Sequence, residues 1–408
     1  MTKNILLAAI SLFTFTAEAQ KLATLKVSPN EYIGSYFDYN VNFNLDEITF
    51  LPASQLTLIE VNEGQRKEVP YQIENGKNRI LHWQINAKAT SGSLSYDLIK
   101  KKPSEAKTNM KIEENGGLIN INRKGKTLFS YQYETMPAPQ GIDKSYGRSG
   151  FIHPLNTPNG EWLTRIQPKD HYHHYGIWNP WTHVLFEGDT LDFWNLNKKE
   201  ATVRFAHFLK KEDGAIYADY AALHEHVVLK NEKVALNEIQ NIRTYLGGED
   251  YYLLDFSLDL NTASKSPFHI LEYRYAGFGW RTTEEWNNKN SKVLTSEGKT
   301  RENVDGSTAK WCIVQGALGD NYGGAIMMSH PTNFNHPEPL RIWPVDQYGR
   351  GDMFANFAPT KNMDWVLEPG KTNNLKYRML IFNGEMTAEK AEAAWQQFAY
   401  PIKIEIVK

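Results

Sequence analysis

The sequence predicts an all-β protein: a large antiparallel two-sheet β-sandwich, preceded by a small N-terminal β-sandwich domain and carrying one C-terminal helix. Three observations lead there. Long segments alternate with period two, so that odd and even positions of Ile216 to Val228 form two distinct faces. Turn pairs such as Asp213-Gly214, Gly247-Gly248 and Asn383-Gly384 punctuate these segments. Only one stretch has firm helical spacing, with Thr387 as N-cap, Glu389 in the first turn, and Ala391, Ala394, Trp395 and Phe398 on one face.

In chain order, residues 1–19 read as an export signal. Lys3 supplies the positive end, Ile5 to Phe15 the apolar run, and Ala17, Glu18 and Ala19 the small-x-small pattern before Gln20. Residues 20–108 read as the small domain, with strands clearest at Leu56 to Val61 and Ile80 to Ile85, closing on a charged stretch around Pro103. Residues 109–408 read as the main domain. Its strands include Val234 to Leu246, Tyr251 to Leu260, Phe268 to Tyr275 and Leu375 to Phe382, several of them too long for a compact immunoglobulin-like sandwich.

Composition narrows the function. The formal charge is −2 with no basic patch or tail, which argues against nucleic acid as a partner. No segment is long and apolar enough to span a bilayer, so the expectation is an exported protein, periplasmic or secreted. The single cysteine, Cys312, precludes an intramolecular disulfide and reads as a core residue. There is no nucleophile elbow, phosphate loop or dinucleotide fingerprint, and Ser149 reads as a turn residue.

The densest chemistry lies in Asp170 to Trp178, where His171, His173 and His174 fall within four residues. Eight of the twelve histidines lie between His153 and His226. Imidazoles exchange protons near neutral pH and ligate metals. If the run is extended, His171 and His173 share a face that His174 opposes, while His224 and His226 pair on their own strand.

Three chemistries compete for these residues. The i, i+2 histidine pairs are compatible with zinc, but neither paired cysteines nor a His-Glu-x-x-His helix accompanies them, so no metal or cofactor is expected. Glycoside hydrolysis needs two carboxylates, and Asp170, Glu272, Asp346 and Asp352 are candidates without a preferred pair. The third is β-elimination on a uronic acid. There an arginine offsets the sugar carboxylate, a base removes the C5 proton, and an acid assists the oxygen leaving C4. Arginine, histidine and tyrosine recur together: Arg148 before His153, Arg165 before His171, Arg274 beside Tyr275, and Arg341 after His336.

The segments Ser149 to Gly160, Leu163 to Arg165 and Asp170 to Gly176 resemble the signature of the DUF6807 family, also labelled PmoA-like. His330 to Asn333 and Asn356 to Pro359 look like its C-terminal portion. The resemblance covers roughly Gly117 to Gly384. Tyr172 and Tyr175 stand where the family pattern has Pro and Arg, so Tyr175 is a candidate proton donor or stacking ring. Methane oxidation finds no support in a chain without membrane spans. The resemblance implies a β-sandwich acting on carbohydrate in polysaccharide-degrading systems of Bacteroidetes, where one relative dehydrates ulvan oligosaccharides.

The favoured expectation is a dehydratase acting on uronate-terminated, acidic oligosaccharides. Arg165 or Arg148 would hold the carboxylate, and His173 or His171 would take the C5 proton. His174, Tyr175 or Tyr275 would protonate the leaving hydroxyl. His153, Trp178, Arg274, His336 and Arg341 complete the expected binding set. A hydrolase using Glu272 and a non-catalytic glycan-binding protein are the alternatives.

Overall fold

The computed structural model describes residues 20–28, 36–87, 94–104 and 107–407; the export signal expected over 1–19 lies outside them. Among the described residues the chain is antiparallel β throughout, and one α-helix, Ala388–Ala399, follows the last long strand. No described helix is long and apolar enough to cross a membrane.

The N-terminal sandwich stacks a three-stranded sheet (Tyr39–Asn44, Ile80–Ile85, Tyr71–Glu74) on a five-stranded one. Leu25, Leu58, Trp83 and Tyr96 fill the space between them. The five-stranded sheet runs Ile404–Val407, Gln20–Val27, Leu94–Lys100, Leu56–Asn62, Gln65–Glu68, so the chain's last strand returns to pair with its first described one. Gln72 ties the sandwich to the main body, its side-chain oxygen accepting from the backbone of Ile216 and Tyr217.

The main body places two eight-stranded sheets face to face. One is built of long strands, including Tyr217–Val228, Lys233–Tyr245, Tyr251–Thr262 and Asn373–Asn383. The other ends in short strands, with Phe151–Leu155, Ile177–Trp178, Gly279–Arg281 and Phe354–Phe357 adjacent in that order. Alternation decides which side chains meet. Val314, Met327, Met379 and Ile381 point between the sheets, while Ile313, Met328 and Leu380 point outward. That outer apolar face is covered by the helix through Ala391, Ala394 and Trp395. Thr387 caps it as expected, accepting from the Lys390 N–H. Cys312 is buried in the core.

One expected strand is shorter than its pattern implies. Pairing of Phe268–Ile270 stops where the chain leaves a small four-stranded sheet to cross toward Gly279–Arg281. Glu272 and Arg274 therefore do not share a strand face. The Glu272 N–H donates instead to Asp364, and Glu272 is exposed.

Candidate active site

The histidine run is not extended. Its backbone closes into turns, with the His171 N–H donating to Pro168 (2.9 Å) and the His174 N–H to His171 (3.0 Å). Successive side chains therefore converge instead of alternating. Ring centroids lie 4.6 Å apart for His171 and His174, 4.9 Å for His173 and His174, and 5.2 Å for His171 and His173. Gly176 provides the exit into Ile177–Trp178. Its φ is +55°, and a Cβ there would meet the Ile152 carbonyl oxygen at 2.1 Å, so no larger residue fits.

The three rings line a cavity of about 340 Å³. The floor is aromatic, with Trp194, Trp343 and Phe354 from a cluster that also holds Trp178 and Tyr175. Arg274, Tyr275 and Arg341 stand on the wall with Asn195 and Tyr348, and among the described residues no carboxylate lines the cavity. Arg341 is paired with Asp305 at 2.5 Å. Arg274 has no carboxylate within ion-pair distance among the described residues; it lies over the Tyr273 and Tyr275 rings.

Charge is ordered behind the rings. Asp170 meets Nδ1 of His171 at 3.0 Å and Nη2 of Arg281 at 2.8 Å. Asp352 meets Arg281 at 3.2 Å, Arg165 at 2.8 Å and Arg350 at 2.7 Å. Burial alone would raise both carboxyls, yet hydrogen bonds and these cations hold each below its usual range. Burial and the neighbouring His171 push the His173 ring down to about 3, and burial, with the nearby His173, holds His174 well below its ordinary value. Tyr275 is pushed up to about 12, chiefly by burial, so it carries its proton at neutral pH. Its hydroxyl exchanges hydrogen bonds with the Asn195 amide at 3.1–3.2 Å.

The remaining expected residues lie elsewhere. Arg165 is engaged by Asp352, and Arg148 is buried, so neither opens onto the cavity. Tyr175 donates to the Tyr146 carbonyl and accepts from Gln167 at 2.8 Å, facing away from the rings' open side. Trp178 backs His174 at 5.2 Å. His153 sits against Trp162 with Nδ1 on Thr164 (2.9 Å), and burial pushes it down to about 4. His336 stacks on Trp395 of the helix and pairs with Ser329, away from the cavity. His224 and His226 are buried between the sheets, on Tyr131 (2.5 Å) and Glu238 (2.8 Å) respectively.

Sequence reasoning missed Arg281, Trp343 and Tyr348. Arg281 is completely buried with Trp343 packed on its guanidinium at 4.4 Å. An arginine in the apolar stretch Phe278 to Arg281 was a usable signal, since an unpaired buried cation is costly and implies carboxylate partners. Nothing local announces Trp343 or Tyr348.

Fold and cavity together define a β-sandwich protein whose histidine- and arginine-lined pocket lies at the short-stranded end of one sheet. The chain belongs to the DUF6807 family, a family of unknown function, which it matches over residues 118–396. No curated protein sequence matches it. Among solved structures, the heparan sulfate lyase HepC mutant from Pedobacter heparinus is similar at 9% identity and a TM-score of 0.35. That likeness covers 71% of this chain and 38% of the lyase, so the chain spans well under half its length.

Proposed function

We propose that this chain is a carbohydrate-active lyase. It removes water from the saturated uronate at the non-reducing end of an acidic oligosaccharide, of the ulvan type, leaving a 4,5-unsaturated end. The supporting observation is the cavity's inventory: an arginine free of carboxylate partners, a protonated tyrosine beside it, and three imidazoles opposite, with no acid among them. Arg274, with Arg341 on the same cavity, would take the sugar carboxylate and so acidify the C5 proton. That proton leaves toward the imidazole cluster, and Tyr275 protonates the departing C4 hydroxyl. Small-molecule pockets run from about 300 to 1,000 Å³, and this one is at the lower end, which favours a terminal sugar over the middle of a chain.

The carboxylate-free lining counts against the hydrolase reading, because Asp170 and Asp352 are held by arginines and Glu272 is exposed outside the cavity. Incubating the protein with saturated uronyl oligosaccharides tests the proposal. Rising unsaturated-uronate absorbance with loss of one water in mass supports it; new reducing ends without absorbance would select hydrolysis instead. Binding without turnover would select a glycan-binding protein. Export to the periplasm or beyond is part of the same proposal, since a polymer-derived substrate is met there.

A further inference from the structure

Three imidazoles that converge without bonding one another lack a common partner. One ring nitrogen from each of His171, His173 and His174 lies within 4.8 Å of the others. Among the described residues no hydrogen bond joins the rings, and Nδ1 of the buried His174 has no partner. Asp170 holds Nδ1 of His171, which leaves Nε2 for the cavity side, where the Tyr348 hydroxyl stands at 3.3 Å. A carboxylate on the far nitrogen is the outer contact that fixes the tautomer and aim of an imidazole ligand.

We propose that His171, His173 and His174 bind one divalent transition-metal ion of the zinc class, with a coordination position left open to the cavity. Three nitrogen ligands and an open position are the composition of a catalytic zinc site, whereas structural sites are closed. Bonds of about 2.0–2.1 Å set tetrahedral nitrogens about 3.3 Å apart, so the widest pair needs to close by about 1.5 Å. The His173 ring is only partly buried and has no hydrogen bond to break, so it is free to make that move. Arg281, a buried cation behind the rings, is already shared between Asp170 and Asp352.

This inference rests on reading the cavity as an elimination site and names the proton acceptor there. Hydroxide on the ion takes the C5 proton and becomes water. The C5 electron pair forms the C4–C5 double bond, and the C4–O bond breaks as Tyr275 gives its proton to the leaving hydroxyl, released as water. The bound water then loses a proton to solvent and Tyr275 regains one, so the cycle closes without an oxidant or reductant.

The test is direct metal counting. The full chain is stripped with chelator, reloaded with Zn²⁺ or Co²⁺, dialysed and analysed by plasma mass spectrometry, with the visible absorption of cobalt as a second readout. One ion per chain is expected. Binding should weaken at least 100-fold in His173→Ala and His174→Ala, and about 10–100-fold in Asp170→Asn. Far-UV circular dichroism checks folding, and His173→Gln, at a partly exposed position, replaces His174→Ala should the buried truncation unfold. Fewer than about 0.1 ion per chain, or affinity unchanged in the His173 variants, would overturn the site. Elimination that persists in metal-free protein removes the ion and leaves the lyase reading standing. An ion bound without elimination leaves the site and removes the lyase reading.

Discussion

The molecule holds two groups of histidines, and their surroundings differ in what they leave open. His224 and His226 lie between the sheets, where Tyr131 hydrogen-bonds one and Glu238 pairs with the other. Glu238 is itself completely buried and takes further hydrogen bonds from Asn179 and Gln240 at 2.8 Å. Burial would raise that carboxyl, but the His226 contact and its neighbours hold it low. His171, His173 and His174 line a cavity with an arginine and a tyrosine, one ring nitrogen of each within 4.8 Å of the others. Histidine density therefore says little about function by itself; what separates a core network from a reactive site is whether the rings border a cavity that a ligand can enter.

The sharpest way to break this contrast is Tyr275→Phe. It should lower turnover about 10²–10⁴-fold with the melting temperature nearly unchanged, as steady-state elimination rates and thermal melts would show. Glu238→Ala should do the reverse. Leaving His226, Asn179 and Gln240 buried without their acceptor should cost about 1–3 kcal/mol of stability, visible in urea unfolding, while the folded fraction keeps its rate.

Acid should find the core group next. Burial pushes the His224 ring down to about 4 from an ordinary 6.5, so the unfolded chain binds the extra proton across that interval and the folded chain does not. Stability from this group is full above pH 6.5 and drains away as pH falls toward 4. Melting curves of His224→Gln over that range should show a shallower decline than wild type, and parallel curves would refute the assignment.

Arg274→Ala should raise KM about 10–100-fold, corresponding to one charged hydrogen-bond contact of about 1.5–3 kcal/mol. A methyl-esterified uronate should feel the change less. The smallest effect belongs to His336→Ala. It lies against the helix, so turnover should stay within about twofold and stability should drop by about 0.5–1.5 kcal/mol for the Ser329 contact.

How much of this was legible in the sequence follows from range. Period-two alternation marked Ile80–Ile85 to the residue, and Lys233–Tyr245 and Asn373–Asn383 to within a residue or two. The helix was readable from its cap because capping is local. The histidine cluster was legible as a group but not in shape. Alternation implies opposed faces, whereas backbone hydrogen bonds around Pro168 and His171 fold the run into turns that bring all three rings together. The cavity's other half was hidden for a different reason. Trp343 and Tyr348 meet His171 across some 170 positions of chain, and Arg281 is fixed by carboxylates from two separate segments. Tertiary pairing of that kind leaves no local periodicity to read. Arg165, expected to hold substrate, shows the same limit, since only the folded chain reveals that Asp352 engages it.

The pairing of Ile404–Val407 with Gln20–Val27 has a consequence for how the chain assembles. Until Ile404–Val407 docks, the five-stranded sheet has an open border at Gln20–Val27, with unsatisfied amides able to recruit a strand from another molecule. Removing Ile404–Val407 would leave the two eight-stranded sheets whole and still make the protein sticky.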